Sequence, residues 1–248
     1  MKRIAVIGCS FSRWIDPKDT YKGTARCWPH SLSLINKDIE VHNYSMYVNS
    51  CSMQYYTACN LIKHARKEFD AIILQWTTEH RCSFLLDKSL DQILKNIEPY
   101  GDLAPNYFHI AEEKNRWMEV NSEMLHISPG TLKAYSQKVI NKNKFLSAGQ
   151  TYVTSGVGAG GYYGARESVK ALQFTLQEIA KKAGIPLYQM DWLDRRDSEI
   201  SDYINAVDLT VETLFNFRKY VADTGYHFNG RGADSVASFI NKWIQQNV

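Results

Sequence analysis

The chain has 248 residues, 44% of them hydrophobic and 22% charged, with a formal net charge of +3. This length fits one large α/β domain or two small ones, and the composition is that of an ordinary globular protein. The charge is small and the Lys and Arg are scattered, so electrostatics gives no case for a nucleic-acid partner.

In chain order, Ile4–Ile7 is an apolar, β-branched run ending at Gly8, which reads as a buried first strand. Glu40–Tyr44 reads as a second, shorter strand. Met53–Phe69 carries Ala58, Ile62, Ala65 and Phe69 at helical spacing. Asp70–Trp76 is another buried strand. Strand, loop, strand, helix, strand argues for a mostly parallel sheet covered by helices. A helix is expected at Ser89–Ile97. From Glu98 to Ser128 the chain reads as helix and loop laid over one side of the sheet, followed by a basic helical stretch at Thr131–Leu146. Thr151–Ser155 reads as a short strand and Gly156–Gly164 as a glycine-rich loop. Ser168–Ala183 is the clearest helix, with Val169, Leu172, Leu176, Ile179 and Ala183 on one face and Gly184 as its cap. Pro186–Trp192 reads as a strand and Tyr203–Val221 as largely helical. Ala233–Gln246 reads as a last amphipathic helix, with Val236, Phe239, Ile240, Trp243 and Ile244 inward. No repeat or linker divides the chain, so residues 1–248 are expected to form one domain, with an insertion at about 98–155.

Five cysteines, Cys9, Cys27, Cys51, Cys59 and Cys82, form no CxxC pair. The odd count argues against a disulfide framework and the spacing against zinc, leaving free thiols in a reducing compartment. The apolar run before Gly8 is too short for a signal peptide, and no stretch approaches a membrane span. A cytoplasmic protein with no membrane attachment is expected. Of the chain, 12% is aromatic, including 15 Tyr, and most of these are assigned to the core.

Gly8-Cys9-Ser10-Phe11-Ser12 directly follows the first strand. Open parallel sheets bind ligands at the carboxyl ends of their strands, which is where Ser10 falls. Gly8 lets the chain turn sharply there. A serine needs a base to act as nucleophile. The second glycine of G-x-S-x-G is missing, so the nucleophile elbow of α/β-hydrolases is not matched. On its own the pentapeptide reads as well as a turn or a helix cap. Near the other end, Asp223-Thr-Gly-Tyr-His227-Phe-Asn229-Gly-Arg-Gly232 precedes the final helix. A histidine is a base near neutral pH, and it needs an acceptor on its second nitrogen to fix its tautomer. Asp223, four residues upstream, is the candidate acceptor.

Taken together, these two ends resemble the SGNH (GDSL-like) hydrolase family. Gly8-Cys9-Ser10-Phe11 resembles its first block, and Asp223 through His227-Phe-Asn229-Gly-Arg-Gly232 resembles its last. The resemblance implies a three-layer α/β/α, flavodoxin-like fold with a mostly parallel central sheet. It also implies ester hydrolysis by Ser10 and His227, with Asp223 completing a triad. The sequence departs from the family in two places. The family's acid stands three residues before the histidine, where this chain has Thr224, so Asp223 sits one residue early and a Ser-His dyad is the other reading. The oxyanion hole implied by the family uses the Ser10 backbone N–H, a glycine N–H and an asparagine side chain. The second block here, Asn43 to Ser50, has no such glycine, and Asn49 is favoured over Val48 as donor because asparagine tolerates a left-handed backbone. In the third block Thr77 stands where the family has asparagine, with Gln75 as the backup donor.

Arg81 is a candidate contact for an anionic group, with a solvated loop as the equal alternative, and Tyr162 and Tyr163, in what reads as a mobile loop near the site, are candidates to stack on a sugar ring. The Gly156–Gly164 stretch lacks the Gly-Lys-Ser/Thr of a P-loop. The remaining histidines show no HxxxH or HxH spacing, so no metal and no cofactor are expected. The leading expectation is a serine esterase removing a small acyl group, such as acetyl, from a carbohydrate or other polar substrate. Acyl transfer from the same site, or a non-catalytic SGNH-like scaffold used in binding or assembly, are the alternatives. Oligomeric state is not legible.

Overall fold

The structure is a computed structural model and describes residues 1–9, 12, 27–45, 49–77, 81–85, 124–127, 132, 136–142, 144–158, 161–191 and 230–248. It opens with β1 (Lys2–Ile7), then α1 (Trp28–Ile35), β2 (Ile39–Asn43), α2 (Cys51–Ala65) and β3 (Ala71–Trp76). Strands β4 (Cys82–Leu85) and β5 (Met124–Ile127) follow, then α3 (Gln137–Lys142), α4 (Lys144–Gly158), α5 (Gly161–Ala183), β6 (Leu187–Asp191) and α6 (Gly230–Asn247).

Four strands form one sheet in the order β2-β1-β3-β6, and every pair in it is parallel. Val6 stands opposite Asn43 on one side and Ile73 on the other. Ile4 through Ile7 and Ala71 through Leu74 are completely buried, because helices cover both faces of the sheet along these runs. Alternate residues serve opposite layers. Ile4, Val6 and Ile73 pack with Trp28, Leu32, Val236 and Ile240 of α1 and α6. Ala5, Ile7, Ile72 and Leu74 pack with Ala58, Leu61, Leu176 and Ala180 of α2 and α5. The fold is therefore the three-layer α/β/α arrangement expected, with a parallel central sheet.

Helix α1 lies in the segment read as loop. Pro29 occupies its first turn, where a missing N–H costs nothing. Its pattern is blurred, since Ser31 is buried while Leu34 and Ile35 are about half exposed. Helix α2 begins at Ser50, whose side chain accepts from the Met53 N–H at 3.3 Å, and ends on Lys63 and His64, which suit the negative end of a helix.

The expected strand at Thr151–Ser155 is helical instead, within α4. Its Thr and Val content favours a strand only where a sheet is present to receive it; here Thr151 Oγ1 donates to the Ser147 carbonyl at 3.1 Å, inside the helix. The expected loop at Gly156–Gly164 is also mostly helix, as α4 runs to Gly158 and α5 starts at Gly161. Packing of α4 on α5 overrides a glycine penalty of about 1 kcal/mol per residue. The basic stretch Thr131–Leu146 holds α3 and the start of α4. Within the segment read as helix and loop, β5 pairs antiparallel with β4, Cys82 opposite Ile127 and Leu85 opposite Met124. The expectations at Ser89–Ile97 and Tyr203–Val221 lie outside the described residues.

Helix α5 buries Val169, Leu176 and Ala180 and ends as expected at Gly184, whose φ of +69° is left-handed. The Ile185 N–H reaches back to the Ala180 carbonyl at 3.1 Å, a Schellman closure. In α6 the buried stripe is Ala233, Val236, Ala237, Ile240 and Ile244. Phe239, expected inward, is 44% exposed: it lies at the edge of that stripe. Trp243 tilts against Tyr188 of β6 with ring centroids 4.9 Å apart.

Candidate active site

The order β2-β1-β3-β6 places the reversal of chain direction between β1 and β3. From β1 the chain moves outward to β2, then crosses back to β3 on the other side. In sheets of this kind the connections leaving two such carboxyl ends diverge and open a crevice, the usual ligand position. Gly8 and Cys9 leave β1 at that point, and Thr77 leaves β3.

A buried polar network fills this edge. The Ser12 N–H donates to the Cys9 carbonyl at 3.0 Å, turning the chain back on itself. The Ser12 hydroxyl donates to Gln75 Oε1 and accepts from Trp28 Nε1 at 2.9 Å. Asn43 Nδ2 donates to the Ser12 carbonyl at 2.6 Å, and Asn49 Nδ2 to the Gly8 carbonyl at 3.1 Å. Gly8 is required by this crossing: a Cβ there would stand 2.7 Å from Ser12 Cβ and 3.2 Å from Ser45 Oγ. On the α2 side, Gln54 bridges the end of β3, giving Nε2 to the Gln75 carbonyl at 2.9 Å and taking the Thr77 N–H at 3.0 Å on Oε1. Cys51 Sγ contacts the Thr77 carbonyl at 3.2 Å.

Of the expected site residues, Ser10, Asp223 and His227 lie outside the described residues. Asn49 and Thr77 come together at the carboxyl edge, both fully buried. Asn49 Oδ1 has no hydrogen-bond partner among the described residues. Gln75 is 2% exposed, with its amide oxygen committed to Ser12 and Trp28. Arg81 stands just before β4, and its Nη1 is enclosed without a hydrogen-bond partner among the described residues. Tyr162 and Tyr163 belong to the first turn of α5, not to a loop.

Helix α6 runs from the carboxyl edge toward the amino edge. Its Asn241 Oδ1 accepts from Asn36 Nδ2 at 2.7 Å, beside the start of β2. About 11 residues earlier, one helical run of ~16 Å at 1.5 Å per residue, lies its first residue, Gly230. Ala233 joins the same apolar cluster as Cys9 and Trp28. The chain thus enters α6 on the edge that carries Gly8 and Ser12.

Sequence reading missed Ser12, Trp28 and Gln54. A signal existed for two of the network's members: Gln75 interrupts an otherwise apolar buried strand, and Gln54 lies one turn from Ala58 on the inward stripe of α2. A polar residue at a core position needs partners. All five cysteines are free thiols. Burial pushes the Cys82 thiol up to about 11, and burial also raises the Cys59 thiol, with a hydrogen bond from Tyr55 opposing it. Among the described residues no helix is long and apolar enough to cross a membrane, and no group of acidic, His and Cys side chains is gathered to hold a metal.

No family model matches the chain, and no curated protein matches it. Among solved structures, a lipase/acylhydrolase from Enterococcus faecalis is similar at 11% identity and a TM-score of 0.39, over 99% of this chain and 96% of that one. The protein YXIM from Bacillus subtilis is similar at 11% identity and a TM-score of 0.48, over 100% of this chain and 57% of that one. Both likenesses are too slight to carry an activity over to this chain.

Proposed function

We propose that the protein is a serine ester hydrolase of SGNH type, acting on a small acyl ester of a polar substrate such as a carbohydrate. The observation that carries this reading is the position of the Gly8–Ser12 turn. It leaves the central strand β1 beside β3, at the point where the strand order reverses and where such sheets bind ligands, and Ser10 follows Cys9 in that turn's sequence. The direction of α6 supports the partner: the helix starts on that edge, and His227 stands three residues before it in the sequence (230 − 227).

In this reading Ser10 Oγ attacks the acyl carbonyl, and His227 takes its proton and delivers it to the leaving alkoxide. Asp223 accepts from the second imidazole nitrogen and holds the tautomer. The backbone N–H groups of Ser10 and Asn49 and the Thr77 hydroxyl are assigned to the oxyanion. Asn49 and Thr77 lie out of bulk water, where such donors act most strongly. Water then releases the acyl group from Ser10.

The test is p-nitrophenyl acetate hydrolysis with the parent and the Ser10→Ala, His227→Ala and Asp223→Ala variants, beside covalent labelling by a fluorophosphonate. The expected result is Ser10-specific labelling of the parent, and loss of about 10³-fold or more in kcat/KM at Ser10 and His227. Below about pH 6.5 the rate should fall, as an imidazolium cannot accept the Ser10 proton. An unlabelled and inactive parent would reject the reading and leave a binding scaffold.

A further inference from the structure

We infer that Ser12, together with Gln75 and Trp28, is the positioning device for the nucleophile, an inference that rests on the serine-hydrolase reading above. Ser12 is completely buried, and its backbone and side chain hold four hydrogen-bond partners from separate parts of the fold. One bond, from its N–H to Cys9, is all that a tight turn requires. The other three go elsewhere: its carbonyl to Asn43 at the end of β2, and its hydroxyl to Gln75 in β3 and to Trp28 at the start of α1. A hydroxyl has a single proton to donate, and this one is directed to Gln75 Oε1.

The upstream side of the turn is held as firmly. Cys9 is fully buried in the α1–α6 core, and the Gly8 carbonyl accepts from Asn49 Nδ2. Ser10 is thus tied into the chain between two anchored residues, Cys9 and Ser12. Those anchors join the sheet, through Asn43 and Gln75, to the α1–α6 layer, through Trp28 and the core around Cys9. If Ser12 only stabilised the fold, its loss would lower the melting temperature and leave the chemistry of folded molecules alone. A positioning group instead changes the rate of bond formation at Ser10, because a misplacement of about 1 Å can cost 10²-fold.

The experiment uses the full chain, well below the Tm of each variant. It measures kcat and KM for p-nitrophenyl acetate and the second-order rate of fluorophosphonate labelling at Ser10. Ser12→Ala and Gln75→Leu should each lower kcat and the labelling rate by about 10- to 10²-fold, with KM within about twofold of the parent. Gln75→Glu keeps an oxygen that accepts from both Ser12 and Trp28, and should retain most of the rate. The Ser12→Ala/Gln75→Leu double variant should be no slower than the worse single one, since both remove the same bond. If Ser12→Ala does not fold, Trp28→Phe removes a single donor while keeping a ring, and a smaller loss in the same direction is expected. Labelling of Ser12→Ala, or in its absence Trp28→Phe, at the parent's rate overturns the inference, whatever the change in Tm. If the parent is labelled and these variants match it, only the positioning role fails; an unlabelled parent overturns both readings.

Discussion

At the amino edge of the sheet, neighbouring segments are joined almost wholly by main-chain bonds. Lys2 N–H donates to the Asp38 carbonyl at 2.6 Å and Asp70 N–H to the Arg3 carbonyl at 2.8 Å, while the side chains that take part, Asp70, Asn36 and Asn241, are exposed or half-buried. At the carboxyl edge the corresponding work falls to buried side chains: Gln54, Gln75, Asn49, Ser12 and Trp28. Both edges belong to the same strands, so sheet formation does not explain the difference. Burying a polar side chain is unfavourable unless it is fully bonded, and a fold tolerates several together only where they specify an arrangement. Between the edges lies an apolar body that needs only volume and close packing.

Three substitutions break or sharpen this contrast. In the body, Ile73→Ala should cost the most stability, about 2–5 kcal/mol, because Ile73 is fully buried and its neighbours cannot collapse into the space. Urea unfolding would measure it, and folded molecules should keep their activity. At the carboxyl edge, Gly8→Ala should cost about 1–3 kcal/mol as the new methyl pushes against Ser12. Its effect on fluorophosphonate labelling should exceed that of Ile73→Ala; the reverse ranking would erase the distinction between body and edge. The smallest effect belongs to Cys82, in β4, away from both. Its thiol is raised from an ordinary 9.0 to about 11 by burial. Between those two values the unfolded thiol loses its proton and the folded one keeps it, so stability present below pH 9 is lost as the pH rises toward 11. The decline over that interval should be steeper in the parent than in Cys82→Ala, and parallel curves would mean that this thiol does not titrate out of register.

The apolar body was the legible part of the sequence. Runs such as Ile4–Ile7 and Asp70–Trp76 announce strands buried on both faces, and the stripes of α5 and α6 announce the covering layers. Parallel strands also demand a crossover between neighbours, a signal that points to α1 even though its own pattern is blurred by Ser31 and Leu34. The Thr151–Gly164 region misled because its residues prefer strand or loop in isolation, and only the packing of α4 against α5 decides for helix. At the edge, sequence placed Gly8 at the end of β1's segment but gave no hint of Ser12's partners. The Ser12–Gln75 bond spans 63 residues; no local pattern encodes such a pairing. Gln75 was legible as a polar residue at a functional edge, and its partners were not.

The face of β1 that carries Ile4 and Val6 is closed jointly by α1, made soon after β1, and by α6, made much later. Between Ile7 and Gly230 the ribosome adds 223 residues (230 − 7), about 11–45 s at 5–20 residues per second. Helices α1 and α2 can settle early in that interval, but the part of the α1 layer that α6 supplies must wait. During synthesis the nascent protein therefore carries an apolar sheet face covered only in part, by α1, a period in which its solubility depends on chaperones or on speed of translation.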